Sequence, residues 1–539
     1  MNDDGTAVPE TAAALEDVFR RLDQLNDIGA SLSNEHDIGR LLEKIVLAAK
    51  QITRADGGTL YRVTEDRRFL QFEIVRTDSL HIALGGTRPQ AASGLFPRLP
   101  LWREDGSPND GMVAAYAAIT GNTVNIADAY TAQGFDFSGT RQFDARTGYR
   151  SQSFLTVPMK DHAGEVIGVL QLINALDPHT GQVVAFSPAD QRLAESLASQ
   201  AAVALSNRQL VQQLELLFES FVRLINLAID EKSPYTGGHC QRVPELTMML
   251  AEAADATTEG PLADFKLTDQ DRYELRIAAL LHDCGKVTTP VHVVDKATKL
   301  QTLFDRIALI DTRWEVVRRD AEIAQWRRIA EGQPAEAAEQ AYRAFCRQLV
   351  SDREHLRRAN IGCEKMDEAA IARVRQIAEA YRWQGPDGQE QPFLSADEIE
   401  NLTIPSGTLN AAERDIINHH IVATIRMLEQ LPWPRHLKNV PEYAGGHHER
   451  VDGTGYPRGL KREQMSWQAR MMGIADIFEA LTAKDRPYKE GMGLAQALDI
   501  LEDFCRRGHI DPDLYDVFIK GRVFQRYAEA FLRPEQIDG

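Results

Sequence analysis

The sequence is poor in cysteine and has no long apolar run. Its five cysteines are widely spaced and form no Cys-x-x-Cys pair, which favours a reduced cytoplasmic environment over a disulfide framework. No apolar stretch approaches the ~20 residues needed to cross a bilayer. Residues 1–14 are acidic and Ala-rich and lack the basic start and apolar core of a signal peptide. We therefore expect a soluble, cytoplasmic protein with no membrane partner.

Positive charge is also scarce, with 61 basic against 79 acidic residues and a formal net charge of −18. Phosphate backbones are held by Lys and Arg, so this balance argues against a nucleic-acid polymer as partner. A small phosphate substrate is still possible, because it needs only a locally positive pocket. A chain of 539 residues, 43% of them hydrophobic, predicts two or three domains with ordinary cores.

The first third of the chain mixes helical and strand patterns. We expect a loose tail over residues 1–14 and an α+β domain over residues 15–190. Amphipathic helices are predicted within residues 15–50, and alternating strands at Gly58–Val63 and Phe69–Val75. A strand, turn and strand follow between Ser153 and Asn174. This order predicts an antiparallel sheet with flanking helices.

Residues 191–228 form an apolar helical pattern without Gly or Pro. A helix of this length suits a coiled coil that links two domains and two copies of the chain. The alternative is a terminal helix that packs only on the first domain.

Residues 229–539 are almost wholly helical in pattern and predict an all-α bundle. One segment, at about 312–402, is dense in Arg, Glu, Asp and Ala. We interpret it as a charged helical hairpin inserted into the second domain, ending in a loop at 383–392.

The second domain also contains an unusual set of His and Asp residues at the edges of apolar helices. Burying such groups without partners is costly, and a bound metal ion relieves that cost. Asp476 lies inside an apolar helix, where a bare carboxylate would be neutralised. Of the neighbours His419 and His420, about 100° apart on a helix, only one is expected to face the site. The predicted ligands are His239, His282, Asp283, His420, His447, His448 and Asp476.

These motifs resemble the HD-GYP branch of the HD-domain phosphohydrolases. The resemblance rests on His282-Asp283 with Gly285-Lys286 and on the stretch from His447 to Pro457, His-His-Glu-Arg-Val-Asp-Gly-Thr-Gly-Tyr-Pro. Tyr235 to Val243, Leu409 to His420 and Asp476 to Tyr488 resemble the first, middle and last helical motifs of that family. The motifs occur in the expected order over most of residues 225–525, interrupted by the insertion, and that order selects His420 over His419.

The resemblance implies hydrolysis of cyclic di-GMP to linear pGpG, with further cleavage to GMP left open, at two or three metal ions, commonly iron or manganese. The seven predicted ligands match the family's ligands, with Asp283 as the bridging carboxylate. Tyr235 stands where members with three metals carry a glutamate, so we expect two metals. His282, Asp283 and Lys286 are the expected catalytic residues. Positions that hold phosphates and guanines are matched by Lys286, Tyr456, Arg486 and Lys489.

The first domain resembles a GAF domain in its carboxy-terminal half. The resemblance rests on Gly134–Thr140, Thr147–Ser151 and the two strands before Ala175. Cyclic-nucleotide-binding members carry Asn-Lys and Asp-Glu, whereas this chain has Asn174-Ala175 and Asp190-Gln191. The domain is therefore expected either to bind a small, cyclic-nucleotide-like ligand or only to dimerise. A homodimer through this domain and the linker helix is expected, with a diguanylate cyclase as a further possible partner.

Two other functions remain open at this stage. The protein could be a non-enzymatic cyclic di-GMP receptor that signals through partner contacts. It could also be a broader metallohydrolase acting on nucleotides, phosphomonoesters or a mixed cyclic dinucleotide. For the ligand cluster itself, the alternative is a structural metal site or a hydrogen-bonded core, and for the Gly453–Pro457 loop it is a plain turn.

Overall fold

The computed structural model describes residues 7–35, 37–88, 95–232, 238–362, 365–483 and 491–537. The chain divides into two compact units, Met1–Leu217 and Phe218–Gly539, and the boundary falls inside one long helix. No described helix combines the length and the apolar character that a bilayer span requires.

The first unit contains an antiparallel sheet with helices packed against it. Its strands follow the order β3-β2-β1-β7-β6-β5, with β4 paired to β2 and β8 paired to β7. The strands are β1 (Ala55–Val63), β2 (Phe69–Thr77), β3 (Ile82–Leu84), β4 (Leu99–Pro100), β5 (Val124–Ile126), β6 (Phe154–Lys160), β7 (Val166–Leu176) and β8 (Val183–Val184). The helices are α1 (Ala7–Ser33), α2 (Ile38–Thr53), α3 (Val113–Thr120), α4 (Ser138–Thr147) and α5 (Pro188–Lys232), which continues past the boundary.

The two faces of this sheet are covered by different helices. Leu60 and Leu170 pack into the core that α1, α2 and the start of α5 close. Their neighbours Tyr61 and Val169 point the other way, as strand alternation requires, into a smaller core with α3. The predicted α+β domain with an antiparallel sheet is confirmed, and both early strand predictions lie within β1 and β2.

Helix α1 begins at Ala7, within the segment for which we expected a loose tail. The sequence after Ala7 is rich in Ala and Glu, which are strong helix formers, and it contains no glycine before Gly29. Helix α5 also extends beyond the expected linker, because it starts at Pro188, a residue type that suits a first helical turn.

The second unit is a helical bundle, as predicted. Its helices are α6 (His239–Asp255), α7 (Asp269–Leu281), α8 (Val291–Val294), α9 (Ile307–Ala330), α10 (Ala335–Asn360), α11 (Glu368–Ala380), α12 (Ala396–Leu402), α13 (Ala411–Glu429), α14 (Val440–Gly445), α15 (Trp467–Thr482), α16 (Leu494–Arg506), α17 (Pro512–Lys520), α18 (Val523–Phe531) and α19 (Pro534–Ile537). Short 3-10 turns lie at Gly260–Leu262, Cys284–Thr288, Arg435–Leu437 and Arg462–Gln464.

The core of the bundle is built around α6, α7 and α15. Leu250 of α6, Leu275 of α7 and Phe478 of α15 are fully buried in one apolar cluster. Helix α7 starts with a reciprocal capping box in which the Thr268 side chain accepts from the Asp271 backbone N–H. The helix thus has a fixed start, and its last residue, Leu281, immediately precedes His282.

The inserted segment has a small core of its own and is more than the predicted hairpin. Helices α9 and α10 form the expected antiparallel pair, but α11 and α12 pack with them around Trp314, Tyr381 and Phe393. The Trp314 ring lies 4.1 Å from Phe393 and 4.8 Å from Tyr381, between centroids. The expected loop at 383–392 contains a β-hairpin, β9 (Arg382–Gln384) with β10 (Glu390–Pro392). Its sequence signal is Asp387-Gly388, a common hairpin turn.

A close approach of two backbones fixes the turn Cys284–Thr288 against α13. The Gly285 N–H donates to Thr424 Oγ1 at 2.9 Å. A Cβ on Gly285 would lie 2.0 Å from the carbonyl oxygen of His420 and 2.6 Å from the Thr424 nitrogen. Only glycine therefore allows the residues after His282-Asp283 to lie against the helix that carries His420.

We predict that Gly285→Ala destabilises the second unit by about 1–3 kcal/mol or more, because the clashing atoms belong to the backbone and cannot rotate away. Chemical denaturation monitored by circular dichroism would measure the change. Gly493→Ala is the matched control, since the nearest atom to its new Cβ is 3.8 Å away. An equal loss of stability in both variants would contradict the prediction.

Candidate metal centre

The predicted ligands are carried by separate elements of the second unit. His239 is the first residue of α6, and His282-Asp283 follow the last residue of α7. His420 lies in α13, and Asp476 in the middle of α15. His447 and His448 come just after α14.

One group of side chains gathers around the Asp283 carboxylate. Its Oδ2 lies 3.2 Å from Nε2 of His239 and 3.2 Å from Nε2 of His282. Asp476 closes the group, because its Oδ1 is 3.2 Å from His239 Nε2 and 3.9 Å from His282 Nε2. His239, His282 and Asp283 can each offer one ligand atom to the same cation, since these atoms lie within 4.8 Å of one another.

A second group lies on the other side of the same carboxylate. Asp283 Oδ1 is 3.3 Å from Nε2 of His420, which is itself 3.2 Å from Nε2 of His448. The ring of His447 lies 4.1 Å from that of His448, and the three histidines form a second set with ligand atoms within 4.8 Å. The two oxygens of Asp283 thus face two different sets of ligands.

Backbone carbonyls fix the orientation of three of the imidazoles. Nδ1 of His282 donates to Ala279 O at 2.7 Å, and Nδ1 of His447 donates to Ala444 O at the same distance. Nδ1 of His420 donates to Ile417 O at 2.5 Å. A carbonyl only accepts, so Nδ1 carries a proton in each of these rings, and Nε2 is the nitrogen that faces the cluster. This arrangement of the outer nitrogen is common among metal-bound histidines.

Unpartnered buried atoms show that this donor set fits a cation. Among the described side chains, His447 Nε2 and Asp283 Oδ1 are fully buried and have no hydrogen-bond partner. Leaving such atoms unsatisfied costs about 1–3 kcal/mol each. Imidazole nitrogens and carboxylate oxygens are ligands for divalent transition metals, which would remove that cost.

The electrostatics keep the ligand atoms available. Burial, with the neighbouring His448 and His282, holds the pKa of His447 well below its usual value. Burial likewise lowers the pKa of His448 to about 4, so both rings are neutral at physiological pH. Burial alone would raise the pKa of Asp283, but Lys286 and His282 hold it well below its usual range. The carboxylate is therefore ionised.

Two predicted substrate-binding residues lie beside the cluster. Lys286 Nζ is 2.6 Å from Asp283 Oδ2. The Tyr456 ring stacks on His448, with centroids 4.8 Å apart and planes 20° apart. Burial raises the pKa of Tyr456 to about 12, so its hydroxyl remains a donor. The other predicted binding residues, Arg486 and Lys489, and the position of Tyr235 lie outside the described residues.

The loop that carries Tyr456 is held by backbone fit and by one carboxylate. A Cβ on Gly455 would lie 2.3 Å from the Arg450 nitrogen, so no larger residue fits there. Glu449, which is buried, accepts from the backbone N–H groups of Arg458 at 2.7 Å and Leu460 at 2.9 Å. We assigned no role to Glu449 from the sequence, although its place within the His-His-Glu motif was a usable signal.

Glu479 is a second supporting residue that sequence analysis missed. It is fully buried, one Oε contacts His239 Nδ1, and the other accepts from Arg242 Nε at 2.7 Å. Arg242 and Glu479 each come three residues after a predicted ligand on the same helix. That spacing places each on the ligand's face of its helix and could have revealed the pair.

Family models match three stretches of the chain. A GAF domain model matches residues 37–205, and two HD domain models match residues 236–349 and 395–514. The chain therefore contains a GAF domain followed by an HD domain of the HD-GYP type. The second HD match contains His420, His447, His448 and Asp476, and the first contains His239, His282 and Asp283. The HD domain is thus continuous in space but interrupted in sequence by the insertion.

Curated relatives match parts of the chain. A 3'3'-cGAMP-specific phosphodiesterase 3 of Vibrio cholerae is 25% identical over 297 residues, covering 55% of this chain and 37% of that protein. A cyclic di-GMP phosphodiesterase of Pseudomonas aeruginosa is 47% identical over 74 residues, 14% of this chain and 17% of the relative. A 3'3'-cGAMP-specific phosphodiesterase 1 of Vibrio cholerae is 36% identical over 121 residues, 22% and 27% respectively. The chain therefore spans between 17% and 37% of the length of these relatives.

We predict that Glu479→Gln weakens metal binding by about 10–100-fold, because the amide no longer holds His239 Nδ1 and Arg242 by charge. Calorimetric titration of the metal-free protein with Mn²⁺ would measure the affinity. Glu274→Gln is the matched control, because Glu274 is equally hidden in this unit but bonds Asn439 at 2.7 Å. Unchanged affinity in Glu479→Gln, or the same loss in both variants, would rule out a positioning role.

Proposed function

We propose that this chain is a metal-dependent phosphodiesterase that hydrolyses cyclic di-GMP to linear pGpG, with further cleavage to GMP as an open second step. The observation that carries the proposal is the pair of three-ligand groups on either side of Asp283. The printed names of the relatives, which are cyclic di-GMP and 3'3'-cGAMP phosphodiesterases, support a cyclic dinucleotide as substrate.

Two divalent cations, iron or manganese, are the proposed cofactors. His239 and His282 would hold one, His420, His447 and His448 the other, with Asp283 bridging and Asp476 completing the first group. When bound, such a pair supplies an activated water and neutralises the phosphodiester charge. The ionised Asp283 and the neutral His447 and His448 favour cation binding without prior proton loss at these three side chains.

Polar side chains around the cluster are proposed to bind the substrate. Lys286 carries a positive charge beside Asp283 and is the proposed donor to a non-bridging phosphate oxygen. Tyr456 presents its aromatic ring and a protonated hydroxyl next to His448, suited to contact a base or a phosphate. Arg486 and Lys489 are proposed to bind the same substrate. In this scheme His282 and Asp283 act with Lys286 as the catalytic residues.

A mixed cyclic dinucleotide is the second candidate substrate, because two of the relatives are named for 3'3'-cGAMP. The two substrates share the ring of two phosphodiesters and differ in one base. The contacts of the cluster with a phosphodiester would be the same for both substrates. We therefore propose that the preference for one cyclic dinucleotide over the other depends on the residues that contact the bases.

The wider role proposed for the chain is cytoplasmic signalling. The GAF domain is proposed to regulate the HD domain through a small ligand, and the chain to form a homodimer through the GAF domain and α5. A diguanylate cyclase is a proposed partner, since it would produce the substrate of this enzyme.

We predict that the full chain loaded with Fe²⁺ or Mn²⁺ converts cyclic di-GMP to pGpG, and that Asp283→Ala or His282→Ala lowers turnover by roughly 10³-fold or more. Both variants should also bind less metal, measured by elemental analysis. His436→Ala, an exposed histidine elsewhere in the domain, is the control. Tight binding of cyclic di-GMP by the metal-loaded chain without turnover would instead favour the receptor function.

We predict that Tyr456→Phe raises KM for cyclic di-GMP about tenfold, the value of one lost hydrogen bond, while bound metal stays unchanged. The phenyl ring can still stack on His448, so the change isolates the hydroxyl. Tyr515→Phe serves as control. A change in metal content with unaltered KM would place Tyr456 in metal binding instead.

A further inference from the structure

The last turn of α5 contacts the backbone of the 3-10 turn Cys284–Thr288. Lys232, the final residue of α5, donates from Nζ to the carbonyl oxygen of Lys286 at 3.2 Å and also to that of Val287. A lysine in the last turn of a helix commonly bonds the final carbonyls of its own helix. The Lys232 ammonium bonds a segment 54 residues later in the sequence. It therefore joins α5 to the turn beside the metal centre, and both lie within the second unit.

The end of α5 is itself fixed in this unit. Ile229, one turn before Lys232, is 2% exposed and packs in the core of the bundle, as does Val222 further back along the helix. The Lys232 side chain is half-buried. Hydrogen bonds from a charged donor are stronger than those between neutral groups. Lys232 is thus a donor with a fixed origin, and it can restrain the carbonyls that it binds.

The Lys286 backbone is bonded on both sides of its Cα. Its N–H donates to Asp283 O at 2.9 Å, and its carbonyl accepts from Lys232 and from the Thr289 N–H at 3.1 Å. A carbonyl oxygen has two lone pairs and can accept both bonds. From this backbone the Lys286 side chain, 20% exposed, places Nζ 2.6 Å from Asp283 Oδ2. A displacement of the turn would therefore move the Lys286 ammonium relative to the cluster.

We propose that Lys232 is a positioning residue, which holds the turn Cys284–Thr288 so that the Lys286 ammonium stays where it can bind a non-bridging phosphate oxygen. Lys232 does not touch the substrate in this scheme and acts through Lys286. The inference rests on the proposed function for the role of Lys286, whereas the contact between Lys232 and the turn is independent of that function. A residue that is not a metal ligand thus contributes to substrate binding from the end of α5.

The first test is the activity of Lys232→Met, which removes the ammonium and keeps a long side chain. We expect kcat/KM of the full, Mn²⁺-loaded chain for cyclic di-GMP to fall about 10–100-fold, because a small displacement of Lys286 impairs phosphate binding. Bound metal, measured by elemental analysis, should stay unchanged. Lys232→Arg should restore most of the activity, since a guanidinium can also donate to two carbonyls.

Lys266→Met is the matched control for this test. Lys266 also donates to two backbone carbonyls, those of Asp255 and Thr257, but at the carboxy-terminal end of α6. This variant should keep full activity. Full activity in Lys232→Met, or an equal loss in both variants, would overturn the proposal. A loss of bound metal that accounts for the lost activity would also overturn it, because Lys232 would then support the metal ligands.

A double variant separates positioning from direct contact with the substrate. If Lys232 acts through Lys286, Lys232→Met should have no further effect on kcat/KM once Lys286→Ala is present. The residual activity of Lys286→Ala is followed over long incubations at high enzyme concentration. If the two losses multiply instead, Lys232 contributes independently of Lys286 and the proposal fails.

Hydrogen–deuterium exchange tests the contact without substrate. The N–H groups of Lys286 and Thr289 bond to carbonyls within residues 283–289 and should exchange slowly in the unaltered chain. We expect Lys232→Met to speed exchange in this segment by about tenfold, and Lys266→Met to leave it unchanged. Unchanged exchange in Lys232→Met would overturn the proposal at any level of activity. Faster exchange, with no turnover by the unaltered chain, would support the contact and refute the proposed function alone.

Discussion

The second unit is organised by the cost of burying imidazoles and carboxylates. His282, Asp283 and His447 are almost completely buried, and such groups are tolerated only when each polar atom has a partner. The outer ring nitrogens find theirs in backbone carbonyls one turn away, whereas the inner atoms face each other across Asp283. His447 Nε2 and Asp283 Oδ1 remain unpaired. The rest of the unit holds these inner atoms together, and a cation between them would offset the unfavourable free energy of burying them.

Several residues that are not predicted ligands hold the ligands and the neighbouring loop in position. Gly285 lets the His282-Asp283 turn touch the backbone of α13, which fixes the distance to His420. Glu479 and Arg242 form a buried pair behind His239, and Glu449 ties the loop that carries Tyr456. The insertion has a separate core around Trp314, and none of its described residues belongs to either ligand group, so it interrupts the domain in sequence. The sequence analysis did not predict this core, because the segment is dominated by charged residues.

Helix α5 contributes to both cores. Its early turns bury Ala201 and Leu205 in the first unit, and its later turns bury Val222 and Ile229 in the second. The boundary between the units therefore falls within one continuous helix, and no loop separates the two domains at that point.

The sequence determined the class of both domains and the identity of the clustered His and Asp residues, because local spacing and polarity are properties of the chain alone. Alternation at Gly58–Val63 predicted a strand, and the helical pattern of residues 229–539 predicted the bundle. The adjacent polar pairs His282-Asp283 and His447-His448 indicated the cluster, because burying them without a partner is unfavourable. Three features were decided only by tertiary structure. The hairpin and core of the insertion depend on Trp314 meeting Tyr381 and Phe393, which are distant in sequence. The support of His239 by Glu479 joins residues 240 apart. The two-sided position of Asp283 depends on how α7 and α13 pack, because the orientation of a carboxylate is set by its neighbours in space and leaves no trace in the local sequence.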